Sequence, residues 1–189
     1  VQNLEIQFCC FSNCSGSKDI YGSCLFSCSE NTKLFYTSTI ECSNILQATG
    51  AQFDMQSPSN VQTQFVNISL GSAEYCGGIE YRNARQGFFQ YQTITGLCSC
   101  FATSFTAVDI SNIEIANSNY FNNSIKAPKA GVPPALVHAR DKNIKLINFY
   151  FVSNTFSKAH NMQPLLASIQ NKGNLSIELI NCYADVDDA

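Results

Sequence analysis

Three segments of the chain align without gaps: Asn112-Ile-Glu-Ile-Ala-Asn117, Asn143-Ile-Lys-Leu-Ile-Asn148 and Ser176-Ile-Glu-Leu-Ile-Asn181. Each has two apolar residues two apart and an asparagine two further on. A period of two is that of a β-strand showing alternate side chains to one face. Counting back from Asn117 in steps of 25 reaches Gln92, Asn67 and Cys42, and the forward steps are 31 to Asn148 and 33 to Asn181. Units of this length without helical periodicity are too short for strand–helix repeats. They predict an all-β solenoid, a right-handed parallel β-helix of about seven coils, with the hand taken from the rule for parallel crossovers.

The repeat sorts residues into columns that stack at about 4.8 Å in a parallel sheet. One inward column reads Ile40, Phe65, Gln90, Ile115, Leu146, Leu179, and its neighbour Ser38, Thr63, Phe88, Ile113, Ile144, Ile177. Gln90 breaks the pattern while Phe89 and Tyr91 fit the opposite parity, which predicts a one-residue shift or a bulge there. The last inward column, Cys42, Asn67, Gln92, Asn117, Asn148, Asn181, predicts an amide ladder from Asn67 to Asn181. Glu114, Lys145 and Glu178 form an outward column of alternating sign. Val66, Tyr91, Ala116, Ile147 and Ile180 form an apolar outward column, a candidate partner face. Gly and Pro open a second strand in each coil, as in Gly50-Ala-Gln-Phe53, Gly77-Gly-Ile-Glu-Tyr81 and Pro134-Ala-Leu-Val137. The chain reads as one β-helix domain over residues 1–189, with Cys-rich coils over 1–42 and regular coils over 43–189, excised from something longer.

Composition narrows the setting. Charged residues are 13% of the chain, with Asn, Ser, Thr and Gln in their place. Such a surface suits an extracellular or cell-surface protein. A net charge of −3 argues against a nucleic-acid partner, and no apolar run is long enough for a transmembrane segment. Ten cysteines point to an oxidising compartment, with Cys9, Cys10, Cys14, Cys24, Cys28, Cys42, Cys76, Cys98 and Cys100 as disulfide candidates. Buried free thiols are the alternative. Cys76 lies about one coil before Cys98 and Cys100, a natural span for a bridge between neighbouring coils.

The pattern resembles the right-handed β-helix superfamily of pectin lyases, autotransporter passengers and protist surface proteins. More narrowly, it is similar to the repeats of polymorphic membrane proteins, which carry Gly-Gly-apolar-apolar and Phe-x-x-Asn tetrapeptides. Gly77-Gly78-Ile79 resembles the first, although Glu80 departs from it. Phe151-Val-Ser-Asn154 matches the second, with Tyr120-Phe-Asn-Asn123 and Cys10-Phe-Ser-Asn13 as variants. The resemblance implies surface display and adhesion.

No catalytic constellation emerges. Glycosidic chemistry needs two carboxylates about 5–10 Å apart. Asp109 and Glu114 have opposite parity, and Asp185, Asp187 and Asp188 sit at the C-terminal end. His138 and His160 are the only histidines, and no cysteine spacing matches a zinc motif, so neither cofactor nor metal is expected. Sequons at Asn13, Asn122 and Asn174 fall in predicted turns and are glycosylation candidates; a fourth, at Asn67, is expected to be bare because the ladder turns it inward. Two functions follow as expectations. The first is a non-enzymatic extracellular β-helix acting in adhesion or structural assembly. Its partner is a protein or glycan surface, or a second copy stacked end to end into a filament. The second is a carbohydrate-active lyase or hydrolase, for which Glu80, Arg82, Arg85 and Asp109 are the residues to test.

Overall fold

The computed structural model describes residues 2–16, 24–44, 52–56, 59–73, 77–82, 86–96, 98–99, 102–108, 112–125, 135–140, 143–156, 165–170 and 175–187. Among them are strands β1 (Asn3–Gln7), β2 (Cys10–Ser12), β3 (Ser15–Gly16), β4 (Leu25–Ser27), β5 (Asn31–Ile40), β6 (Ser43–Asn44), β7 (Phe53–Gln56), β8 (Asn60–Ser69), β9 (Ser72–Ala73), β10 (Ile79–Arg82), β11 (Gln86–Thr95), β12 (Cys98–Ser99), β13 (Ala102–Val108), β14 (Asn112–Phe121), β15 (Ser124–Ile125), β16 (Ala135–Arg140), β17 (Asn143–Phe156), β18 (Leu165–Gln170), β19 (Ile177–Ile180) and β20 (Tyr183–Asp187). Every described pairing is parallel, between strands of successive turns. The fold is a parallel β-solenoid. One face stacks β1, β5, β8, β11, β14, β17 and β19, and the second sheet runs β4, β7, β10, β13, β16, β18.

The long strands bend without losing their pairing, because a single residue in the left-handed region marks each corner. The first corner column is Phe8, Tyr36, Phe65, Tyr91, Asn117, Asn148 and Asn181, and the second is Asn13, Glu41, Leu70, Gly96, Asn122 and Ser153. The two corners of a turn are always five residues apart. The corner N–H groups keep the inter-turn ladder intact, as in Phe8 N–H to Phe35 O at 3.1 Å and Glu41 N–H to Ser69 O at 3.1 Å. Each corner also resets which parity faces inward. In the third turn the interior receives Val61 and Thr63, then Val66 and Ile68, then Gly71; in the fifth it receives Ile113 and Ile115, then Ser118 and Tyr120, then Asn123.

This register corrects several expectations. First-corner residues recur in steps of 28, 29, 26, 26, 31 and 33, so counting back from Asn117 by 25 slips one residue in each of the first two steps and four more in the third. The inward columns are Leu34, Thr63, Phe89, Ile115, Leu146, Leu179 and Thr32, Val61, Gly87, Ile113, Ile144, Ile177. Phe89 is fully buried, whereas Phe88 and Phe65 are each 40% exposed. Val66 is fully buried, which removes it from the candidate partner face. Asn67 is exposed on an outer face, because the corner at Phe65 reverses its parity. Between β5 and β14 the chain completes about three turns with every face paired on both sides. That is fewer than the seven expected. The repeat marks each strand of one face, including those of the open turns at either end, where Ile177 and Leu179 are 40% and 50% exposed.

The interior is mainly apolar, with a polar seam. Gln92, fully buried, donates to Thr63 Oγ1 at 2.7 Å and accepts from Tyr120 Oη at 3.2 Å, and Tyr81 Oη lies 3.3 Å from the same Thr63 oxygen. These bonds offset the cost of burying the groups. Outside, Glu114 pairs in register with Lys145 and Lys145 with Glu178. Lys145 Nζ is 4.0 Å from Glu178, an exposed contact worth at most about 1 kcal/mol. The register yields a stability test by chemical denaturation. Phe89→Ala is expected to cost about 3–5 kcal/mol through a core cavity, and Phe88→Ala about 1 kcal/mol or less. Equal losses would refute the register.

Candidate functional site

Two features stand out from the regular stack. The first is a ridge along the first corner. Left-handed backbone turns these side chains outward, and in-register stacking lays each on the next. The rings of Phe8, Tyr36, Phe65 and Tyr91 are parallel within 4°, with centroids 5.0, 4.7 and 4.7 Å apart. The column then changes chemistry. Asn148 Nδ2 donates to Asn117 Oδ1 at 2.9 Å, and Asn181 Nδ2 to Asn148 Oδ1 at 3.3 Å. Of the five residues assigned to one inward ladder, only these three share a column, and it faces outward. Asn67 is exposed, and Gln92 is buried in the polar seam. Tyr91 is 43% exposed and belongs to the ridge, while Ile147 and Ile180 are half-buried neighbours in register. Asn13 and Asn122 are exposed corner residues. Asn67 is also exposed, so the reason for expecting a bare sequon there is gone. Asn174 lies outside the described residues.

The second feature is at the second corner, on its inner side. The residue after the corner points into the solenoid at Cys14, Cys42, Gly71, Asn123 and Asn154; its counterpart after Gly96 lies outside the described residues. Asn123 and Asn154 are buried and satisfied. Asn154 Oδ1 accepts from the Asn123 N–H at 3.1 Å and from Asn123 Nδ2 at 3.0 Å, and each amide donates to a carbonyl one turn back, Asn123 to Ile94 and Asn154 to Tyr120. These are the asparagines of the Phe-x-x-Asn tetrapeptides. At Gly71 there is no side chain because the Gln52 amide occupies the space. A Cβ there would lie 1.8 Å from Gln52 Nε2, which donates to Cys42 O at 2.9 Å, while Thr39 Oγ1 donates to Gln52 Oε1.

Cys14 and Cys42 repeat the asparagine geometry with sulfur. The Cys14 N–H points at Cys42 Sγ at 3.4 Å, and the Cys42 thiol points one turn back to Phe11 O at 3.6 Å. Cys24 stands one residue before Leu25, which pairs with Phe53. It is therefore the counterpart of Gln52, and enters the same corner one turn earlier. The sulfurs of Cys14, Cys24 and Cys42 all lie within 4.8 Å of one another. Cys42 is buried and the other two half-buried. Desolvation raises the Cys14 thiol above its ordinary pKa. The charge of Cys42 and its hydrogen bond raise it further, against lowering bonds to Cys24 and to the Ser12 carbonyl. Three thiols at this spacing form a ligand set for a thiophilic metal, or a redox set in which two join and one is left. No sequence spacing had suggested either. Cys9, Cys10, Cys14, Cys24, Cys28, Cys42 and Cys182 are all free thiols, and no two of them are at bonding distance. Cys76, Cys100 and the Cys98 side chain lie outside the described residues.

The catalytic alternatives are placed differently. In the second sheet Asp54, Glu80, Thr106, His138 and Ser168 stack in register, with Asp54, Glu80 and His138 at 0%, 3% and 3% exposure. The Asp54–Glu80 neighbour pair escaped sequence reasoning, which weighed Asp109 against Glu114 and named Glu80 only as a residue to test. Asp109, Arg85 and His160 lie outside the described residues.

Peptide-resolved alkylation tests the thiol cluster. A raised pKa leaves Cys14 less thiolate near neutral pH and delays its reaction to higher pH. Cys42→Asn removes two of the raising causes, so Cys14 is expected to react a few-fold faster at pH 8. An unchanged rate would dissociate the two thiols. No protein-family profile, curated protein or solved structure matches this chain.

Proposed function

We propose that this chain is a non-enzymatic, extracellular or cell-surface β-solenoid that acts in adhesion or structural assembly, and that a second copy stacks on it end to end. The observation that carries this reading is the continuity of its columns out to the outermost described strands. At one end β1 offers Asn3, Leu4, Ile6 and Phe8; at the other, Ser176, Ile177, Leu179 and Asn181 stand at the same column positions. Adding β19 of one copy to β1 of the next in this register sets Ser176 on Asn3, Ile177 on Leu4 and Leu179 on Ile6, with Asn181 across the ring of Phe8. It covers Ile177, Leu179 and the face of Phe8, which is 75% exposed. Strand edges of this kind recruit further strands. A following coil of the same chain would meet the same chemistry.

Two further points support the reading. The low charge and the exposed ridge suit a surface met by other macromolecules, whether protein or glycan. Two of the three tetrapeptides fall at equivalent positions: Tyr120 and Phe151 point inward, Asn122 and Ser153 turn the corner, and Asn123 and Asn154 bond between turns, while Cys10-Phe-Ser-Asn13 is displaced by one residue, with Asn13 at the corner. This favours kinship with the pectin-lyase-like superfamily and the polymorphic membrane protein repeats. The carbohydrate-active alternative rests on the Asp54–Glu80 pair. Its burial keeps a polysaccharide from reaching it, and this reading stands second.

The stacking register contains one opposition, Glu178 against Glu5, which like charge destabilises. Sedimentation velocity and negative-stain microscopy over a concentration series are the test. Rods that lengthen with concentration are expected. They should be longer for Glu178→Gln than for the unsubstituted chain. A strict monomer under all these conditions would end the assembly reading. Release of reducing ends from a polysaccharide panel, lost in Glu80→Gln, would put the enzymatic alternative first.

A further inference from the structure

We propose that Cys14, Cys24 and Cys42 form a three-thiolate site for a thiophilic d10 cation, with zinc(II) as the ion that fits best. The inference is independent of the assembly reading. It stands on three observations. The sulfurs lie within 4.8 Å of one another. A zinc–sulfur bond of about 2.3 Å requires sulfurs about 4 Å apart, so thiol rotation and a small contraction bring them onto one ion. The positions are also constructed rather than accidental. Cys14 and Cys42 stand where later turns carry Asn123 and Asn154, and Cys24 stands where the next turn carries Gln52. At these places the scaffold points polar side chains into the corner, an amide pair at Asn123 and Asn154 and the Gln52 amide beside Gly71. Finally, exposure is graded: Cys42 is buried while Cys14 and Cys24 are half-buried. Three protein ligands thus close the inner side, and a water from solvent takes the fourth tetrahedral position.

Zinc suits the set better than a harder cation because sulfur ligands select soft or borderline ions. A divalent charge also offsets most of the three negative thiolates. Each S–H bond gives its proton to solvent as the S–Zn bond forms, so uptake releases up to three protons and weakens as pH falls. No oxidant takes part.

The scaffold itself supplies variants that should fold. Cys14→Asn/Cys42→Asn installs the amide pair that Asn123 and Asn154 already use, and Cys24→Gln installs the residue at the equivalent place one turn on. The chain is reduced, handled without oxygen, loaded with zinc and dialysed against a chelator of moderate strength. Wild type is expected to retain one equivalent more than either variant. Cobalt(II) in place of zinc should give a sulfur-to-cobalt charge-transfer band that both variants lose. Cys28→Ser, an exposed thiol beside Gln56, should behave as wild type. Zinc should raise the thermal midpoint of wild type and of Cys28→Ser but not of the other two. Equal zinc retention in wild type and Cys24→Gln would overturn the proposal. So would a reduced wild type that takes up no zinc and instead closes a Cys14–Cys42 disulfide in air. If the double variant does not fold, Cys24→Gln decides.

Discussion

Parallel pairing carried through two left-handed corners is the constraint on which the rest of this molecule depends. A strand with one residue at φ near +50° turns sharply while its neighbours turn with it, so the backbone ladder survives the bend. The price is conformational, roughly 1–2 kcal/mol for a residue with a Cβ in this region. Of the thirteen corner residues in the described chain, only Gly96 lacks a Cβ. Asparagine, which tolerates the region best among the others, takes five. The aromatic corners need another source of support, and ring stacking supplies about 0.5–1.5 kcal/mol per pair. The ridge is therefore first a device that holds a strained backbone. Its rings meet face to face along the axis, and their edges are what solvent and partners encounter.

The same corners control what faces inward. Along a simple strand the inward set would be every second residue. Here it runs two, then a step of three, then two, then another step of three, as in Ile144, Leu146, Phe149, Phe151 and Asn154. Among the described residues, each corner side chain thus points out, and the residue after it points in. The arrangement gives each turn one position, just past the second corner, where a polar side chain can reach the same position in the next turn. The chain fills that position with amides in its later turns and with sulfur in its first two.

How far this could be read from the sequence follows from the same geometry. Ile113 with Ile115 and Ile144 with Leu146 were legible, as was the charge column Glu114–Lys145–Glu178. These residues precede the corner, where period two holds, and their turns share one template. Asn117 was placed inward because period two was extended across a corner that no glycine marked. Gln92 and Asn67 were misassigned because the steps back are 26 residues, and Phe89 beside Gln90 was the visible sign of the slip. The thiol trio was hidden for another reason. Metal motifs are sought as short local spacings, while a solenoid gathers ligands at the length of its turn. Cys14 and Cys42 are 28 residues apart, as are corner residues Phe8 and Tyr36. That equality is the signal that could have found them.

Substituting sulfur for amide also changes what holds the corner. Asn123 and Asn154 exchange hydrogen bonds of 2.8–3.1 Å with each other and with carbonyls one turn back. Between Cys14 and Cys42 and from Cys42 to the carbonyl one turn back, the corresponding contacts are 3.4 and 3.6 Å, and a thiol is a weak donor and a weak acceptor. The carbonyl of half-buried Phe11 thus has a weaker partner than that of Tyr120, although both face the same kind of turn. An interior that needs its polar groups paired gains little from such a replacement in hydrogen bonding alone. It gains more if the sulfurs bind something stronger than a carbonyl. The thiolate chemistry of these three residues then takes over the tie between turns that the Asn123–Asn154 amides provide further along the solenoid, and the integrity of the first two turns becomes sensitive to pH, metal and oxidant.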